Sequence, residues 1–209
     1  MGDLSVLVSP LLTGDAAWLR EAERIYCESI LEAERKPSSW LREAMARDDF
    51  LLLVAKADEK VCGMATVYRS KRETDLALLE YLAVDRGARG RGIGGILFQA
   101  AVEACGDRTM LIEVDAETGE GCTLQEQRQR MRFYRRLGCT PIRRVEYQLP
   151  LKTAGVIPPM ELLIYPSRTV DRETLRRWIS AVYVDVYGMG ADDPRIEQML
   201  AGLPVTGNH

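Results

Sequence analysis

The chain has 209 residues, of which 46% are hydrophobic, enough to bury one good core with a small appendage. Charged residues make up 28% with both signs mixed, and the formal net charge of -3 gives no footprint for nucleic acid or an anionic membrane. No apolar run approaches the ~20 residues that span a bilayer, and the start MGDLSVLVSPLLTGD lacks a secretory signal's basic opening and cleavage site, so a cytoplasmic protein is expected.

Leu4 to Val8 alternates weakly and reads as a first strand. From Asp15, the apolar residues Trp18, Leu19, Ala22, Ile25 and Tyr26 recur at helical spacing. After Pro37, Ser38 or Ser39 can cap a second helix carrying Trp40, Leu41 and Ala44. Phe50–Lys56 and Val61–Tyr68, joined by the turn 57–60, read as an antiparallel pair. A charged turn, 70–75, precedes the longest apolar run, Leu76–Val84. A Gly-rich loop, an amphipathic helix to about Cys105 and a strand at Met110–Asp115 follow. Gln125–Leu137 is an Arg-rich helix ended by Gly138. Val145–Leu149 and Met160–Tyr165 read as two last strands. Asp171 caps a helix whose face is Leu175, Ile179, Val182 and Val186, and a short helix runs from Pro194 to about Leu200. The order predicts an α+β fold: a mixed, mostly antiparallel central sheet flanked by helices, with residues 1–166 as one domain and 167–209 as a C-terminal helical extension packed on it. Trp178, Tyr183 and Tyr187 are expected to complete that core.

Five cysteines (Cys27, Cys62, Cys105, Cys122, Cys139) at wide spacings, with no CxxC, argue against a disulfide framework and a zinc site, and no metal is expected. Cys122, in a polar Gly-rich stretch, is the thiol expected at the surface. His209 is the one histidine and the last residue. That sets aside Ser-His-Asp and Cys-His chemistry and leaves a carboxylate, tyrosine, lysine or water as general base.

The segment Leu76–Asp85 followed by Arg89-Gly-Arg-Gly-Ile-Gly-Gly95 carries the functional signal. A buried strand runs into glycines and a helix starts at once. Glycines permit positive φ and close approach of a ligand. The free amides of the helix's first turn favour an anion. Arg86, Arg89 and Arg91 add charge suited to a phosphorylated ligand. A plain strand-to-helix turn needs fewer glycines than Gly90, Gly92, Gly94 and Gly95. Gly90-x-Gly92-x-x-Gly95 also fits a dinucleotide-binding GxGxxG, with Asp115 ending the next strand, but it lies mid-chain after an antiparallel sheet and no repeated βα units follow.

Glu80-Tyr-Leu82-Ala83-Val84 with Arg89-Gly-Arg-Gly92-Ile-Gly94 resembles motif A of the GNAT superfamily (GCN-related N-acetyltransferases). Phe133-Tyr134-Arg-Arg-Leu-Gly138 resembles the helix end of the same family, and the strand and helix order from Leu4 to Tyr165 is also similar. Two positions depart from its pattern, with Gln127 and Arg130 standing where Asn and Ala are frequent. The resemblance implies an N-acetyltransferase that binds acetyl-CoA in a V-shaped opening beside the motif A strand. The backbone of Leu82, Ala83 and Val84 would hold the pantetheine arm as an added strand does, and Arg89, Gly90, Arg91, Gly92, Ile93, Gly94 and Gly95 would surround the pyrophosphate. It further implies direct attack of an amine on the thioester, with Glu80 binding or deprotonating the amine and Tyr134 protonating the departing thiolate. Arg130, one helical turn before Tyr134, would touch phosphate or an acidic substrate. Phe133 is expected in the core, the other arginines of that helix in solvent, and Glu113 and Asp115 as lesser candidates for substrate contact. The acceptor, a small-molecule or protein amine, is not encoded legibly. A homodimer is left open, and a non-catalytic CoA-binding module is the alternative.

Overall fold

The computed structural model describes residues 5–37, 39–151 and 157–204. The elements are β1 (Leu7–Pro10), α1 (Ala16–Ser29), α2 (Ser39–Met45), β2 (Phe50–Ala57), β3 (Lys60–Arg69), β4 (Leu76–Val84), α3 (Ile93–Cys105), β5 (Thr109–Asp115), α4 (Leu124–Arg136), β6 (Thr140–Pro141), β7 (Met160–Tyr165), α5 (Arg172–Asp185) and α6 (Pro194–Leu200). The strands form a seven-stranded sheet in the order β1-β2-β3-β4-β5-β7-β6, with helices flanking it in the expected α+β arrangement. The chain divides into two compact units, Met1–Arg69 with Leu79–Gly106, and Ser70–Leu78 with Asp107–His209. The extension beyond Tyr165 belongs to the second.

In the first unit, β1 pairs antiparallel with β2, and β2 with β3. The Ala57↔Lys60 pair leaves a two-residue loop in which Asp58 and Glu59 both take positive φ, the geometry that matches strand twist in a tight hairpin. The apolar stripe of α1 buries Leu19, Ala22, Ile25 and Tyr26 against Leu52, Val54, Val61 and Met64 of the hairpin and Tyr81 and Ala83 of β4. Across β3, α3 packs so closely that a Cβ on Gly63 would sit 2.8 Å from the Leu97 side chain and 3.0 Å from the Ala83 carbonyl. Glycine is required there by contact, a constraint that strand periodicity does not reveal.

In the second unit, β7 pairs antiparallel with β5 and with the two-residue β6. A reciprocal cap at Thr123 and Glu126 starts α4, and Gly138 at φ +90° ends it as expected. Asp171 caps α5 by accepting from the Thr174 N–H at 2.8 Å. Leu175, Trp178, Ile179, Val182 and Tyr183 of α5 are buried, and so are Val186 and Tyr187 just past it. The extension therefore completes its unit's core.

Three expectations are corrected. Val145–Leu149 is not a strand: Val145, Tyr147 and Leu149 are buried in alternation, but only Tyr147 bridges to Met160. Side chains of the extension take the backbone groups instead, since the Gln148 N–H meets the Met199 sulfur and the Gln148 carbonyl accepts from the Tyr183 hydroxyl. The exposed thiol is Cys27, and Cys122 is half-buried against Asp115. Phe133 is only half-buried while Tyr134 is buried, because the inward stripe of α4 is Gln127, Met131 and Tyr134, spaced by four and three. Leu4 and Ser38 lie outside the described residues, as does His209.

Candidate functional site

The turn between β4 and α3 is built to present amides. After Val84, a short 3₁₀ turn at Arg86–Ala88 is capped by the Asp85 carboxylate, which accepts from the Gly87 N–H at 2.9 Å. The Arg24 guanidinium, 2.8 Å away, holds Asp85 below the usual carboxylate range. Gly90 and Gly92 then adopt φ of +78° and +80°, a region costly for residues with a Cβ. Gly92 is the N-cap of α3 and offers no capping side chain. The Gly95 and Ile96 N–H groups turn back to the Gly92 carbonyl, whereas those of Ile93 and Gly94 take no backbone partner among the described residues. The Ile93 side chain is buried and anchors this first turn to the core.

The space over the turn is open. A Cβ built on Gly90, Gly92 or Gly95 would meet nothing within 4 Å. An open groove of about 510 Å³ starts at Gly92 and Gly95 and runs along α3 past Val8, Ile96, Gln99, Ala100 and Glu103. Of the three arginines, Arg89 donates through Nε to the Val84 carbonyl at 3.1 Å, bracing the turn. Arg86 and Arg91 are exposed and form no ion pair among the described residues. On β4, Ala83 faces the core, while Leu82 and Val84 are half-buried. The Tyr81 N–H donates to the Thr66 hydroxyl at 3.1 Å.

Glu80 is no surface carboxylate. Its side chain is fully buried, with the Lys36 ammonium, itself 8% exposed, 2.6 Å from Oε1. The approach is off the line of a hydrogen bond, so the contact is an ion pair, and neither carboxylate oxygen has a well-aligned donor. Burial pushes the Glu80 carboxyl up, and the neighbouring ammonium opposes that.

In the second unit, Tyr134 lies on the buried face of α4, where burial raises its pKa against the opposing charge of Arg130. Arg130 does share that face, and it forms an ion pair with the buried carboxylate of Asp115. The other oxygen of Asp115 accepts from the Cys122 thiol at 3.2 Å. A dinucleotide fold would need that carboxylate free for a ribose, so its engagement, together with the antiparallel pairing of β5 and β7, speaks against that fold. Glu113 accepts from the hydroxyls of Tyr147 and Tyr187, the latter at 2.5 Å. Arg128, Arg132, Arg135 and Arg136 are exposed.

Two residues have surroundings that the sequence does not show. Lys36 sits between helices with no periodic signal, and only its fold partner Glu80 gives it meaning. Gln127, noted in the sequence as a departure from the family pattern, is fully buried and ties the loop before α4 to the helix. Its carbonyl accepts from the Gly119 N–H at 2.7 Å and its amide donates to the Glu120 carbonyl at 2.8 Å.

A sheet strand, an Arg/Gly turn with open amides and a helix braced on the same sheet make an α+β domain with a candidate anion site. The chain belongs to the GNAT acetyltransferase family, whose model matches residues 17–139. Among solved structures, a GNAT-family protein from Bacteroides thetaiotaomicron is 24% identical, with a TM-score of 0.70 over 88% of this chain and 99% of that one. Ard1 from Thermoplasma volcanium is 16% identical (TM-score 0.58, 77% and 97% covered), and the ribosomal-protein-S18-alanine N-acetyltransferase from Escherichia coli is 18% identical (0.56, 77% and 92%). At these identities the likeness shows the fold. No curated protein matches the chain.

Proposed function

We propose that the chain is an N-acetyltransferase that moves the acetyl group of acetyl-CoA to a primary amine, small-molecule or protein-borne, by direct attack in a ternary complex. Family membership supports acetyl transfer in general. The observation that carries the reading is the pair of open amides at Ile93 and Gly94, behind two left-handed glycines and near the exposed Arg86 and Arg91 in sequence. Adjacent N–H donors at the positive end of a helix, with guanidinium groups at hand, fit a diphosphate.

Bound there, acetyl-CoA would supply an activated thioester. Arg89, Gly90, Arg91, Gly92, Ile93, Gly94 and Gly95 are proposed to surround its diphosphate, and the backbone of Leu82, Ala83 and Val84 to hold its arm. Arg130 is proposed to touch phosphate or an acidic substrate. The amine nitrogen bonds to the acetyl carbon as the C–S bond breaks. Glu80 takes the amine's proton, directly or through water, and Tyr134 gives one to the departing sulfur. Burial raises the proton affinity of Glu80, which makes its ionised form a stronger base, and keeps Tyr134 protonated as a donor must be.

Thiol release from acetyl-CoA across a panel of primary amines tests the activity, with mass spectrometry of the product. Binding without turnover on any amine would leave a CoA-binding module. Acetyl-CoA at a hundredfold excess over its Kd should stabilise the fold by about 2.7 kcal/mol, raising Tm by roughly 5–11 °C. NAD should not. The reverse pattern would overturn the proposal.

A further inference from the structure

We propose that Lys36 is the positioning residue of the transfer site: its ammonium holds the Glu80 carboxylate charged and oriented, so that Glu80 can accept a proton at neutral pH. The inference rests on the reading of Glu80 as that acceptor.

Lys36 lies on the segment between α1 and α2, and its backbone is clamped by one tyrosine. The Tyr26 hydroxyl accepts from the Lys36 N–H at 2.9 Å and donates to the Lys36 carbonyl at 3.2 Å. Two residues earlier, the Glu34 carbonyl accepts from the Tyr81 hydroxyl at 2.9 Å, which ties the same segment to β4. The Lys36 ammonium stands 4.3 Å from the centre of the Trp40 ring, and Tyr81 packs edge-on against both Tyr26 and Trp40. A lysine stem is thus fixed in an aromatic wall with its charge delivered to the Glu80 carboxylate.

Stability alone does not account for this arrangement, because a buried ion pair is often no better than an apolar pair of the same volume. Other groups near Glu80 are Arg47, just past α2, and the hydroxyls of Tyr81 on β4 and Tyr26 on α1. Arg47 is already engaged by Asp49 at 2.7 Å, and the tyrosines carry no charge, so Lys36 is the cation in contact with Glu80. The sign follows. Burial favours the neutral carboxyl and the ammonium opposes it. Without the ammonium, burial is opposed by less and the proton is released only at higher pH.

The test is a titration of the Glu80 carboxyl by carbon NMR on the full chain carrying labelled glutamate, the signal assigned by its loss in Glu80→Gln. In Lys36→Met the midpoint should rise by at least about one pH unit, the scale of a contacting opposite charge, and in Lys36→Arg it should return toward that of the parent chain. Should Lys36→Met fail to fold, the neutral Lys36→Gln carries the same comparison. The acid limb of kcat/KM, measured with acetyl-CoA and the amine found by the panel, should move up with the midpoint, while CoA affinity stays within about twofold. A merely structural role would lower Tm without moving the limb. An unmoved midpoint overturns the proposal, and so does a moved midpoint with an unmoved limb. Unchanged turnover in Glu80→Gln would instead remove the reading of Glu80 as proton acceptor, and this inference with it.

Discussion

Gly92→Asp should separate binding from folding. With φ at +80° and no atom within 4 Å of a new Cβ, the substitution meets strain and no clash. Left-handed backbone costs a non-glycine residue about 1–2 kcal/mol. Aspartate is among the residues that tolerate the region, and at an N-cap it can recover about 1 kcal/mol by accepting from the first-turn amides. The net cost is about 1 kcal/mol or less, a Tm loss of roughly 2–4 °C at this chain length. The carboxylate would occupy the amides and stand ~4 Å from the diphosphate. Each like-charge pair there costs between about 1 kcal/mol in water and about 4 kcal/mol near a protein surface. That is a roughly 5- to 1000-fold weaker Kd for CoA. Gly106→Ala, at φ +61° at the other end of α3, strains the backbone without touching the cradle, so it should lower Tm and leave CoA affinity intact. Calorimetry with CoA, read beside thermal melts, makes the comparison. A folded Gly92→Asp chain that binds CoA within about twofold of the parent would refute the reasoning.

Other outcomes are expected from the same structure. Glu80→Gln and Tyr134→Phe should each cut kcat by roughly 100-fold or more, the scale of a lost general acid or base, with CoA affinity nearly unchanged in calorimetry. Trp178→Ala should lower stability by about 3–5 kcal/mol in a denaturation experiment, because the indole is fully buried and donates to Asp75 at 3.1 Å; a loss under 1 kcal/mol would remove the extension from the core. Iodoacetamide at pH 8 should label Cys27 first in a mass-spectrometric time course. Burial raises the thiol of Cys62 and pushes that of Cys139 up to about 12, leaving the latter roughly one part in ten thousand thiolate.

Elements with a strong local period were legible in the sequence: the β2–β3 hairpin, the apolar run of β4, the Asp171-capped α5 and the Gly138 stop after α4. The turn proposed to hold the anion was legible too, because glycine, arginine and a helix start coincide within a few residues, and the structure puts Gly90 and Gly92 at positive φ there. Val145–Leu149 misled because alternation reports burial and not pairing, and its backbone partners come from Tyr183 and Met199, far along the chain. The surroundings of Glu80 were hidden for a similar reason. A carboxylate mid-strand looks the same whether solvent or a buried ammonium faces it, and Lys36 reaches it only through the path of the segment after α1. Phe133 misled because adjacent aromatics on a helix differ by about 100° in direction, which their identities do not disclose, and the inward place falls to Tyr134.

A crystal structure of the chain grown with CoA tests the central claim most directly. Phosphate oxygens are expected about 2.7–3.2 Å from the amide nitrogens of Ile93 and Gly94, with Arg86 or Arg91 turned toward them. Density for CoA elsewhere, with those amides facing only water, would contradict it.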